Sequence, residues 1–196
     1  MISSIILAAG MSTRMGQPKA LLDWGGEPLI AYQIRQLKEA GVDEIIVVLG
    51  FHGDDIHRQI RRLPCRVMLN PRYFAGRAGS LRIGAKAVNR DAEAIVIVNV
   101  DQPAPAASIH RLIEAHSDRY IATRPTVGGR HGHPVIVSGR LRPELLEATE
   151  EDEGLRGILR RHAAEIQDVP GDDLNVVDLD TPDDYQDALK AFGVSA

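Results

Sequence analysis

The run Leu7-Ala8-Ala9-Gly10-Met11-Ser12-Thr13-Arg14-Met15-Gly16-Gln17-Pro18-Lys19 brings small residues, a hydroxyl pair and two cations into one short stretch. Small side chains let main-chain N–H groups approach an anion closely, and Arg14 and Lys19 would offset its charge. That is the chemistry of a polyphosphate cradle. A glycine-bearing turn alone needs no ligand; the two cations make the difference. The loop is not a Walker motif, because Lys19 does not directly follow Gly16 and no Ser or Thr follows Lys19. It also lacks the GxGxxG spacing of a dinucleotide site.

Carboxylates stand further along. Asp101 closes the apolar run Ala94–Val100. A hard cation such as Mg²⁺ takes one or two carboxylates plus phosphate oxygens and water, and Asp101 suits that role. By position alone it equally suits a turn cap beside Pro103. Asp178 and Asp180 are two more candidates. Asp180-Thr181-Pro182-Asp183-Asp184 also reads as a helix start, with a cap, an early proline and acids at the positive dipole end. That reading explains Asp180 only in part, since Thr181 can serve as the cap. Of the seven histidines, His52, His57, His110, His116 and His162 fall on expected helices or their edges and read as surface residues. His131 and His133 lie in Gly128-Gly129-Arg130-His131-Gly132-His133-Pro134. No third ligand stands at zinc spacing. The glycine-flanked cation and imidazoles suit an anionic acceptor, and a flexible hairpin suits the same residues.

The elements that must position these groups alternate in type. Ile2–Ala8, Glu44–Leu49, Arg66–Leu69 and Ala94–Val100 read as buried strands. Pro28–Ala40, His52–Arg62, Ser80–Val88 and Ala106–His116 read as helices. In the second half, strands are expected at Tyr120–Thr123, Pro134–Val137, Glu165–Val169 and Asn175–Leu179. Helices are expected at Pro143–Thr149, Gly154–His162 and Pro182–Ala191. Strands alternating with helices imply βαβ crossovers and a mainly parallel sheet covered on both faces. The expected architecture is one doubly wound α/β domain over residues 1–196, with ligands at the carboxyl ends of the strands. Gly10–Lys19, Gly50, Asn70, Asp101 and the loop before Asp180 all fall there.

Composition narrows the classes further. The 196 residues carry 23 Lys+Arg against 27 Asp+Glu, a net charge of −4, which argues against a dedicated nucleic-acid binder. The single cysteine, Cys65, excludes a disulfide framework and is read as incidental. No apolar run approaches the roughly 18 residues of a membrane helix. The N-terminus lacks the basic region of a signal peptide, so the expected compartment is the reducing cytoplasm.

The loop resembles the LAAGxSxRMGxxK signature of nucleotidyltransferases. The chain is similar over nearly its whole length to the MobA/MocA-like group, and within it to molybdenum cofactor cytidylyltransferases. Ala20-Leu21-Leu22 with Gly25-Gly26-Glu27-Pro28-Leu29, then Val47-Val48-Leu49-Gly50, Asn70-Pro71, Asp101-Gln102-Pro103 and Gly132-His133-Pro134 carry that resemblance. Asp152-Glu153-Gly154 with Arg156, and Leu179-Asp180-Thr181-Pro182, carry it further. Asp-Gln-Pro followed by Gly-His-Pro is much more particular to this group than the first motif. The turn Gly76-Arg77-Ala78-Gly79-Ser80 departs from the group's small hydroxyl residues and keeps only Ser80. Val100 replaces a small residue or Cys, which is conservative for a buried strand.

The resemblance implies a Rossmann-like nucleotidyltransferase fold and transfer of a nucleoside monophosphate from an NTP to a phosphate-bearing acceptor, with pyrophosphate released. It implies nucleotide contacts from Leu7, Ala8, Ala9, Gly10, Ser12, Thr13, Arg14, Lys19, Gly50, Asn70 and Ser80. Arg14, Lys19 and Asp101 would be catalytic. Mg²⁺ would sit on Asp101 and Asp180, with Asp178 in reserve, and the acceptor on Gln102 and His133. Guanylyl-transferring relatives carry Gly where this chain has Ala9, so the resemblance leans to CTP; a methyl group discriminates by only about 1–3 kcal/mol. The implied acceptor is molybdopterin or its molybdenum form, and the implied client a molybdoenzyme. No nucleic acid or membrane partner is implied. A sugar- or alcohol-phosphate nucleotidyltransferase stays open, as does a non-catalytic protein that binds nucleotide or cofactor and passes it on.

Overall fold

The computed structural model describes residues 1–195. Four β-branched apolar runs form its parallel half: β1 (Ile2–Ala8), β2 (Glu44–Leu49), β3 (Arg66–Leu69) and β4 (Ala94–Asn99). β1 lies between β2 and β4, with Ile6 opposite Val47 on one side and Val98 on the other, and β3 flanks β2. The connections are α1 (Leu29–Glu39), α2 (Gly53–Ile60) and α3 (Arg77–Ala87). After β4 come α4 (Ala106–Ala115), β5 (Ala122–Val127), β6 (Arg130–His131), β7 (Val135–Ser138), α5 (Arg142–Leu146), α6 (Leu155–Arg161), β8 (Ile166–Pro170) and α7 (Pro182–Phe192). The eight strands make one sheet in the order β3-β2-β1-β4-β7-β5-β6, with β8 on β5. The sheet is mixed and mainly parallel: β7 runs antiparallel to both β4 and β5, and β6 antiparallel to β5. β8 is parallel to β5.

Both faces are covered, which is why the central strands are apolar at successive positions. Ile6, Val47, Val96 and Val98 face one layer with Ile30, Ile34, Leu37, Ile56 and Ile109. Ile5, Ile46, Val48, Ile95 and Ile97 face the other with Leu81, Ala85, Leu145 and Ile158. A third cluster joins α7 to the loop after β1 through Met15, Leu22, Trp24, Leu179 and Leu189. Among the described residues, no helix is long and apolar enough to cross a membrane.

Two expectations are corrected. Asn175–Leu179 is not a strand. Asp173–Val176 is a 3-10 turn with a reciprocal Asp172–Asn175 capping pair, and the chain beyond it is irregular. Its backbone groups are spent elsewhere: Asn175 O accepts from His133 N, and Leu179 N donates to Asp101 O, both at 2.8 Å. A short apolar, β-branched stretch cannot form a ladder once those groups have other partners. His116 is half-buried rather than on the surface, because its Nδ1 pairs with the Thr123 hydroxyl at 2.8 Å.

Candidate active site

The cradle loop leaves β1 at its carboxyl end and folds back on itself. Ser12 takes a positive φ of 52°. Its hydroxyl accepts from Lys19 N at 3.1 Å, and its carbonyl accepts from Met15 N at 3.1 Å. This closure aims the Lys19 side chain across the sheet edge. Nζ of Lys19 donates to Asp101 Oδ2 at 3.1 Å and to Asp180 Oδ1 at 3.0 Å. Arg14 pairs with the same Asp180 oxygen at 3.1 Å. The Lys19 hydrogen bond, aided by the nearby Arg14, holds the Asp180 carboxyl below its ordinary range.

Asp101, Asp178 and Asp180 each place a carboxylate oxygen within 4.8 Å of the others. Partial burial and the nearby Asp101 carboxylate push the Asp178 carboxyl up. Three hard oxygen donors this close suit a divalent cation, so the cluster can hold one.

Each carboxylate is held by its own support. Asp101 follows β4, where the buried Gln33 amide of α1 donates to the Val100 carbonyl at 3.2 Å. Gln102 accepts from the Asn99 amide at 2.6 Å and reaches Asp178 Oδ2 at 3.3 Å. His133 is 8% exposed, and its Nε2–H donates to the Val177 carbonyl at 2.7 Å. Its Nδ1 is buried without a partner. Burial lowers the imidazole pKa to about 4, so it is neutral near pH 7. Asn175 closes the brace, its amide donating to His133 O at 3.0 Å and to Ser108 Oγ at 2.7 Å. Gly132 is required here, because a Cβ would lie 2.5 Å from Asn175 O.

A cavity of about 360 Å³ opens over the loop, in the size range of small-molecule sites. Leu7, Ala8, Ala9, Gly10, Ser12, Arg14, Lys19, Ser80, Asp101 and Asp180 all line it. Thr13 is exposed and lies off that lining. Gly50 and Asn70 line an adjoining groove that shares Tyr73 with the cavity. Asn70 is buried there, donating to Ser80 Oγ at 2.9 Å and accepting from Arg72 N at 2.9 Å. Gln102 and His133 stand behind the carboxylates, bracing Asp178 and the Val177 carbonyl, and neither lines the cavity. The sequence reading did not identify the far wall, formed by Tyr73, Phe74, Gly76 and Arg77. Its one signal was the atypical turn at Gly76.

Residues 4–166 match the family model for a MobA-like NTP transferase domain. The chain is 29% identical over 198 residues to the molybdenum cofactor cytidylyltransferase of Escherichia coli (strain K12), covering 97% of each chain. It is 28% identical over 169 residues to nicotine blue oxidoreductase of Paenarthrobacter nicotinovorans, covering 82% of each. The fold superposes with a TM-score of 0.80 on the manganese complex of Rv0371c from Mycobacterium tuberculosis H37Rv. That protein is 26% identical, and the match covers 97% of this chain and 98% of that one.

Proposed function

The chain belongs to the family of MobA-like NTP transferase domains and is a nucleotidyltransferase-family enzyme; from that premise we propose that residues 1–196 work as one cytoplasmic domain transferring CMP from CTP to molybdopterin. The observation that carries this reading is the convergence of Arg14, Lys19, Asp101, Asp178 and Asp180 beside one cavity. The full-length similarity to a cytidylyltransferase and Ala9 in the cradle support CTP.

An oxygen of the acceptor's phosphate attacks the α-phosphorus of the triphosphate. The new P–O bond forms as the bond to the β-phosphate oxygen breaks, and pyrophosphate leaves. Main-chain amides of the cradle and the Arg14 guanidinium hold the triphosphate. The Lys19 ammonium offsets charge building at the α-phosphate. The acceptor phosphate is already anionic, so no side chain is required as a base, and positioning supplies much of the rate. Asp101 and Asp180, with Asp178 beside them, would hold Mg²⁺, which when bound neutralises phosphate charge and orients the two substrates.

The similarity to nicotine blue oxidoreductase raises an oxidoreductase reading. The retained cation–carboxylate cluster favours transfer, because phosphate chemistry needs it and hydride transfer does not. Pyrophosphate release by the wild type decides between them, and Asp101→Asn tests the part its carboxylate plays. Turnover, read as pyrophosphate released from CTP and molybdopterin, is expected to fall at least about 100-fold with the melting temperature unchanged. Near-normal pyrophosphate release in the variant would overturn the role of Asp101, and no release by the wild type would overturn the transfer reading.

A further inference from the structure

Three cations line the cavity, and two are already spent: Arg14 on Asp180, and Lys19 on Asp101 and Asp180. The third is Arg77, the first residue of α3. It is exposed, and its guanidinium has no ion pair or hydrogen bond among the described residues.

The turn that presents Arg77 is built around a carboxylate. Gly76 takes a φ of +115°, and a Cβ there would overlap the Glu150 carboxyl group. Glu150 accepts the Ala78 N–H, so it occupies the amide end of α3. A carboxylate at that point repels phosphate, and the helix amide it covers is not free to bind one. The polyphosphate therefore belongs at the opposite end, with the cradle and the three aspartates. A nucleotide that places its phosphates there turns its base toward Arg77. Two large apolar side chains stand exposed on the same lining, Phe74 at 66% and Met11 at 47%. They offer a planar ring a surface to lie against.

Building on the nucleotidyltransferase reading, we infer that Arg77 is a specificity-determining residue that reads the nucleobase. A guanidinium presents two parallel N–H donors in a fixed plane. Its match is a base edge with two adjacent acceptors. Cytosine has one in O2 and N3, and guanine has one in O6 and N7. The corresponding edges of uracil and adenine pair a donor with an acceptor, so one of the two bonds is lost. Arg77 thus selects cytosine or guanine, and the cradle beside Ala9 chooses between them by size.

The test is nucleotide affinity measured by calorimetry for CTP, GTP, UTP and ATP with Mg²⁺, in the wild type, Arg77→Met and Arg77→Lys. Methionine keeps much of the stem and removes the donors. Arg77→Met should weaken the preferred nucleotide about 5- to 150-fold and UTP and ATP by less, because they have only one bond to lose. Arg77→Lys should recover only part of the loss, because an ammonium is a point donor. Arg77 is exposed, so melting without nucleotide should be the same in all three proteins. Equal weakening of all four nucleotides would place Arg77 on phosphate and overturn the inference. Unchanged selectivity in Arg77→Met would overturn it while leaving the transferase reading intact. A wild type that binds none of the four would remove the transferase reading itself, and the inference with it.

Discussion

Protonating His133 should weaken the fold, and the size of the effect follows from the brace it forms. The ring is buried, its Nε2–H is given to the Val177 carbonyl at 2.7 Å, and Nδ1 has no partner to receive a second proton's charge. Burial therefore holds its pKa at about 4, against 6.5 in the unfolded chain. Between those values the unfolded chain binds a proton that the folded chain does not. Stability from this group is complete above the unfolded pKa and is lost as pH falls through 6.5 toward 4. Linkage gives a loss of about 2 kcal/mol by pH 5 and about 3 kcal/mol by pH 4. His133→Gln removes the titration and keeps an amide able to donate to Val177. The assay is urea unfolding of both proteins at pH 7, 5 and 4 without divalent metal. Subtracting one pH profile from the other cancels the carboxylates common to both. The wild type should lose about 2–3 kcal/mol more than the variant on acidification. Parallel profiles would refute the reasoning, and so would a variant that loses more than the wild type.

Lys19→Met should leave Asp101 without its cation and Asp180 with Arg14 alone, costing about 1–3 kcal/mol in metal-free melting. The same variant should bind Mg²⁺ or Mn²⁺ more tightly, seen as a larger metal-induced rise in melting temperature, while pyrophosphate release falls. Gly132→Ala forces a Cβ against the Asn175 carbonyl. It should destabilise by about 1–3 kcal/mol in denaturant, and turnover should fall because the segment carrying Asp178 and Asp180 shifts. An alanine variant with normal turnover would show that the brace does not position those carboxylates.

Much of the parallel half was legible in the sequence. The runs at Ile2–Ala8, Glu44–Leu49 and Ala94–Asn99 are buried on both faces, so their apolar character is continuous and their helices follow at short range. The cradle was legible for the same reason, since its small residues, Arg14 and Lys19 lie in one loop. Asp101, Asp178 and Asp180 were named as candidate metal ligands. Their convergence was not readable from spacing, because Asp101 and Asp180 meet only when Leu179 N finds the Asp101 carbonyl. Asn175–Leu179 looked like a strand because local pattern registers Val176, Val177 and Leu179 and not the distant partners that claim the backbone.

Legible in the residues alone were a βα-alternating chain, a glycine-bearing loop with two cations, an Asp at the end of its central strand and a Gly-His-Pro turn. Each of those signals is carried by neighbouring residues or by a resemblance in short motifs. What those residues face follows from the packing of the fold. It set the imidazole of that turn behind the carboxylates as a brace, with its Nε2–H on the Val177 carbonyl. It placed Glu150 on the first turn of α3, 72 residues from the amide it covers, and left Arg77 as the cavity's unpaired cation among the described residues. Partners that far apart in the chain are brought together by the packing of the sheet and its two helical layers, and no local pattern of residues records them.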